Sequence, residues 1–167
     1  MIILGIDPGY ALVGYGVVRY EQHRFTPLEY GAIVTGTDIP FSQRLDRIYE
    51  GLSGIIERHQ PDAVAVEKLF FHTNQKTVIM VAEARGVILL AIEKSGRELF
   101  EYTPLQVKTA VTGYGRAVKS QVMEMVRRLL RLREVPKPDD TADALAVAIC
   151  HANTAGTALK QKILQGR

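Results

Sequence analysis

Three carboxylates in this chain stand where a protein interior disfavours them. Asp7 ends the apolar run Ile2 to Ile6, Glu67 ends "DAVAV", and Asp143 lies among Ala142, Ala144, Leu145 and Ala146. A fourth, Asp140, precedes Asp143 by three positions, and residues so spaced share one face of a helix. An unpaired ionised carboxylate taken out of water costs several kcal/mol even after relaxation. No Lys or Arg has a spacing that local geometry would bring onto Asp7, Glu67 or Asp143; Lys68, beside Glu67, points to the opposite face of the strand. If the four acids converge, their repulsion must be relieved by protonation or by cations. Hard oxygen donors suit Mg²⁺ or Mn²⁺, and two ions about 3.5–4 Å apart can share such a set. One ion would then acidify a water and the other steady the leaving oxygen of a phosphodiester, with no serine, cysteine or histidine nucleophile required. Plainer roles exist for three of the acids: a turn residue for Asp7 in Asp-Pro-Gly, a surface position at a strand end for Glu67, a helix cap for Asp139 or Asp140. Asp143 has no such role.

The elements that must position these acids follow from periodicity. Strand patterns cover 2–7, 13–20 and 28–35, with tight connections that predict an antiparallel meander. Phe41, Leu45, Ile48, Leu52, Ile55 and Ile56 repeat at helical spacing and predict an amphipathic helix over 41–59, ended by Pro61. A buried strand over 62–67 follows, then a broadly apolar helix over about 75–94 that stops at Gly96, then the strand "ELFEY". Pro104 starts a short helix containing Lys108, "TGYGR" is a loop, and Val118, Val122, Val126, Leu129 and Leu130 mark the next helix. "VPKPDD" breaks the chain, and the last helix begins near Asp140, with a polar, frayed tail after about Asn153. A meander followed by alternating strands and helices predicts an α/β layer with a mixed five-stranded sheet. The strand ending at Glu67 is expected beside the first, in the same direction, so that Asp7 and Glu67 end side by side. The helix over 75–94 is apolar on more than one face, which predicts burial on two sides, one against the sheet.

With 167 residues the chain is expected to form one domain. Its single cysteine, Cys150, excludes an internal disulfide and suits a reducing compartment, the cytoplasm. No secretory leader and no run long enough to span a membrane is apparent. The net charge is only +3, but residues 101–137 hold eight Lys or Arg against three Glu. That concentration suggests an anionic partner, nucleic acid first. His72 and His151 read as polar bystanders.

Five segments, "ILGIDPG", "VAVEKLF", "FEYTPLQVK", "KSQVMEMVRRLL" and "DDTADALAVAI", resemble in order and spacing the RuvC family of Holliday-junction resolvases, over about residues 2–152. The first alone would be weak, since it also resembles sugar kinases and actin-like ATPases; those need a second lobe and a second phosphate loop, for which the chain has no room. The resemblance implies a ribonuclease-H-like fold and Mg²⁺-dependent cleavage of four-way DNA junctions, with two ions per site and Mn²⁺ as a substitute. It carries the catalytic, metal-holding acids onto Asp7, Glu67, Asp140 and Asp143, and lysines of the active-site edge and DNA backbone onto Lys108 and Lys119. Phe70 matches an aromatic that engages junction bases, and Arg116 joins the expected DNA contacts. The family acts as a homodimer with the RuvA–RuvB branch-migration complex. A nuclease acting on RNA or an RNA–DNA hybrid is the alternative on the same fold. Two departures are Tyr10, where the family commonly has a small hydroxylic residue, and Asp139, which adjoins Asp140 and is expected to be the helix cap.

Overall fold

The structure, a computed structural model, describes residues 1–69 and 75–165, and side chains outside 75, 76 and 156–165. Phe70 and His72 lie outside the described residues. The strands are β1 (Ile2–Asp7), β2 (Leu12–Glu21), β3 (Arg24–Val34), β4 (Ala63–Glu67) and β5 (Glu98–Tyr102); the helices are α1 (Phe41–His59), α2 (Gln75–Lys94), α3 (Pro104–Thr112), α4 (Lys119–Leu129) and α5 (Asp139–Gln165). The sheet order is β3-β2-β1-β4-β5. The first three strands form the antiparallel meander, and β4 joins β1 in parallel, as expected from the sequence.

The pleat sends alternate residues to two cores. Leu4, Ile6, Val64 and Val66 face α1 and α2, where they meet Ile48, Leu52, Ile88 and Ile92. Ile3, Val18 and Ala65 face α3, α4 and α5, against Val107, Val126, Leu145 and Ile149. The α1 face is amphipathic as predicted, with one polar intruder. Arg44 is 6% exposed; it donates from Nε to Thr35 Oγ1 at 3.1 Å and from Nη2 to the Tyr10 carbonyl at 3.0 Å. Its guanidinium also lies over the Tyr10 ring, 5.0 Å from the centroid. The Asp-Pro-Gly-Tyr turn is thus pinned to α1 through Tyr10.

Two boundaries differ from the sequence reading. β3 starts at Arg24, four residues early, because Pro27 sits in an edge strand beside a register shift at Val17/Val18, a place where a missing N–H is tolerated. α5 continues to Gln165 rather than fraying after Asn153. Asn153 Nδ2 donates to the Ala110 carbonyl at 3.0 Å, tying that turn to α3, and the residues beyond include strong helix formers such as Ala, Leu, Lys and Gln.

Candidate active site at the strand ends

β1 and β4 pair with Ile6 opposite Val66, so the next residues, Asp7 and Glu67, emerge as neighbours from one sheet edge. α5 supplies the other two acids, and backbone approach decides where they fall. Asp7 pairs across the sheet with Gly14 of β2. A Cβ on Gly14 would stand 2.1 Å from the Asp140 carbonyl oxygen, and one on Gly5 would stand 2.1 Å from the Ala144 carbonyl oxygen. Only a strand without side chains at these two places lets a helix backbone lie this close. The first turns of α5 therefore rest on β1 and β2, with Asp140 and Asp143 beside Asp7.

The electrostatics record the crowding. Burial pushes the Asp7 carboxyl up to about 8, and the charges of Glu67, Asp143 and Asp140 add to the shift against relief from Lys119. Burial likewise lifts Glu67 to about 7, with Asp143 adding and with Lys108 and Lys119 opposing. Asp143 is raised by burial and drawn back by Lys119. Lys119 Nζ stands 3.0 Å from Asp143 Oδ2 and 3.5 Å from Asp139 Oδ2. Glu67, Lys108, Lys119 and Asp143 line one cleft of about 210 Å³, floored by Val107, Val122 and Ala146.

The structure thus brings Asp7, Glu67, Asp140, Asp143, Lys108 and Lys119 to one rim. Asp139 is the first residue of α5 and its carboxylate faces Lys119, so it is an ion-pair partner rather than the expected cap. Arg116 is exposed on the α3–α4 loop and does not line this cleft. His151 is buried, with Nδ1 2.9 Å from the Tyr102 hydroxyl and its ring against Phe100. Sequence reasoning missed Gly5 and Gly14, whose signal was glycine inside a strand pattern. It also missed the pairing of Lys119 with Asp143, for which no local spacing exists.

The sequence model of the family described as "Crossover junction endodeoxyribonuclease RuvC" matches residues 3–151. The chain belongs to the RuvC family. A RuvC crossover junction endodeoxyribonuclease from Alkaliphilus oremlandii is 58% identical over 154 residues, covering 92% of this chain and 94% of its own. Among solved structures, Thermus thermophilus RuvC in complex with a Holliday junction substrate superposes with a TM-score of 0.90 at 37% identity, over 95% of this chain and 96% of that one. The yeast mitochondrial Holliday junction resolvase Ydc2 shares the fold, with a TM-score of 0.66 at 15% identity over 90% of this chain and 77% of its own. The RuvC match carries with it the ribonuclease-H-like fold, here a mixed five-stranded sheet flanked by helices.

Proposed function

We propose that this chain resolves four-way DNA junctions by metal-dependent hydrolysis of two opposed phosphodiesters, with Asp7, Glu67, Asp140 and Asp143 holding the cations. The observation that carries the metal reading is a rim of half-buried acids short of positive charge: Asp7 is lifted to about 8 and Glu67 to about 7 while only Lys108 and Lys119 oppose them. The donor set is all carboxylate oxygen, which fits a hard divalent ion. Among the described residues no three such side chains already surround one point as a closed ligand cage, and Lys119 stands against Asp143. An ion held by Asp143 would compete with Lys119 for its carboxylate.

Mg²⁺, two per site, or Mn²⁺ in its place, supplies acidity to the attacking water and positive charge for the leaving oxygen. The chain's own residues do the rest. Asp7 and Glu67 hold their positions through the two central strands, and Asp140 and Asp143 through a helix seated on the sheet backbone. Lys108 and Lys119 place ammonium groups at the cleft, where they attract the scissile phosphate and steady charge developing on it. Arg116, exposed outside the cleft, and Phe70, by family resemblance, add to the DNA contact. A homodimer presents two such sites to a substrate with twofold symmetry. In support, α2 buries Ala84, Ile88 and Ile92 against the sheet while Ile79 and Leu90 remain 64% and 50% exposed on its other side. Action with RuvA–RuvB follows from the resemblance, and a cytoplasmic setting from the single cysteine; no helix among the described residues is long and apolar enough to cross a membrane. RuvC membership does not favour the RNA or RNA–DNA hybrid alternative.

The test is a cleavage assay on four-way junctions, linear duplexes and RNA–DNA hybrids, with the mass of the protein in solution measured alongside. Junctions alone are expected to be cut, with Mg²⁺ or Mn²⁺ but not with Ca²⁺, which supports binding. Activity undiminished by a chelator removes the metal mechanism, equal cutting of hybrids removes the substrate, and a monomer that nicks both strands in concert removes the dimer.

A further inference from the structure

Lys119 opens α4 at a place where a cation is disfavoured. The N-terminus of a helix is the positive end of its dipole, and the first turn of α4 holds no acidic residue. Val118, the residue before it, makes no side-chain cap. The compensating charge comes from another element. α5 sets two carboxylates against the ammonium, with Asp143 Oδ2 at 3.0 Å and Asp139 Oδ2 at 3.5 Å from Nζ. Asp143 is claimed by the rim as well. Asp139 is not: among the described residues its one charged partner is Lys119.

The order of the acids around α5 separates their tasks. With about 100° between successive helical residues, Asp143 falls between Asp139 and Asp140, roughly 40° from the first and 60° from the second. Asp140 lies on the side that rests on Gly14 of β2, and its charge acts on Asp7. Asp139 lies on the side that meets Lys119 of α4. Asp143 is shared between the two: its charge acts on Asp7 and Glu67, and it also holds Lys119. A cation on Asp143 therefore contests the lysine's closer partner and repels the ammonium. Asp139 stands one helical turn from Asp143 on the same face, within reach of that ammonium. Both Lys119 and Asp139 are half-exposed, so either side chain can shift without repacking the core.

Resting on the metal-dependent function above, we propose that Asp139 is a second seat for the Lys119 ammonium, which keeps the lysine at the cleft when a cation occupies Asp143. In the free protein Lys119 bridges both carboxylates. With Asp143 given over to the ion, Asp139 alone retains the ammonium at the cleft wall that Lys119 lines, instead of releasing it to water. Asp139 is thus a positioning residue: it touches neither the ion nor the DNA and acts through Lys119. A pair this exposed is worth little on its own, so the effects are of a few-fold and shrink as salt rises.

The test is Mn²⁺ binding to the full-length protein without DNA, followed at low salt by the electron paramagnetic resonance of free Mn²⁺. Wild type, Lys119→Met, Asp139→Asn and the double variant form a cycle. Lys119→Met should bind Mn²⁺ several-fold more tightly, because the competing ammonium is gone. Asp139→Asn should bind it about threefold more weakly than wild type, and this loss should vanish in the Lys119→Met background. In single-turnover cleavage at saturating Mg²⁺, Asp139→Asn should be slowed by a similar factor with junction affinity in Ca²⁺ unchanged, and Asp139→Glu should restore the rate. The inference is overturned if Asp139→Asn costs the same factor in both backgrounds, which makes Asp139 a direct attractor of the ion. It is equally overturned if Asp139→Asn leaves Mn²⁺ affinity unchanged beside wild-type Lys119. If Asp143→Asn binds Mn²⁺ as tightly as wild type, the metal reading fails and takes the second seat with it. Mn²⁺ binding that depends on Asp143 but not on Asp139 removes the second seat alone.

Discussion

Glu29 and Asp7 are both carboxylates at the margin of the same sheet, and the fold treats them in opposite ways. Glu29 on β3 accepts from the Tyr15 hydroxyl at 3.0 Å, from Arg58 Nε and Nη2 at 3.0 and 3.1 Å, and lies 2.6 Å from His59 Nε2. These partners, His59 first, hold its carboxyl down at about 2. Asp7 faces three other acids and only an opposing Lys119, and burial leaves it at about 8. A carboxylate that joins a strand to a helix is given its counter-charge by the chain itself. The acids on the strand-end rim are given too little, which is the shortfall that the proposed cation would make good.

That contrast can be broken most severely at the rim. Asp143→Asn, or Asp7→Asn, is expected to lower junction cleavage by about a thousandfold or more, since the donor is lost from the hydrolytic site, while junction affinity measured in Ca²⁺ stays close to wild type. Equal loss of binding and cleavage would place these acids in DNA contact instead. A thermal melt sharpens the contrast. A folded-state pKa raised to about 8 means that Asp7 binds a proton in the native chain through a range where the unfolded chain has released it. Native stability therefore falls as pH rises from about 4 to about 8. Without divalent ions, Asp7→Asn is expected to raise Tm at pH 8 by roughly 5 °C and to change it little at pH 4. Added Mg²⁺ should stabilise wild type more than the variant. Glu29 carries the opposite sign and the smallest effect. Its depressed pKa contributes stability that is present above about pH 4.5 and lost as pH falls toward 2. Glu29→Gln should cost about 1 kcal/mol at pH 7, because the pairs are partly exposed, with cleavage rates unchanged.

The order of elements and the parallel pairing of β1 with β4 were legible because apolar periodicity and strand–helix alternation are local patterns. So was the meeting of Asp7 and Glu67, which needs only two strand ends in register. The counter-ions were not. Lys119 reaches Asp143 because α4 packs beside α5, a tertiary fact with no sequence spacing to reveal it. Arg44 escaped for a related reason: it falls on the apolar stripe, three residues after Phe41 and four before Ile48, yet its charge gives no hint that its partners are a carbonyl and a hydroxyl from distant turns. Pro27 misled in the other direction, since a residue that breaks a central strand is harmless on the outermost one.

The docking of α5 across Gly5 and Gly14 has a consequence in time as well as in space. During synthesis Asp7 and Glu67 leave the ribosome early, but half of the acids arrive only with the last helix. A partly made chain lacking α5 therefore has only two of the four rim acids, and the rim closes when that helix seats on Gly5 and Gly14.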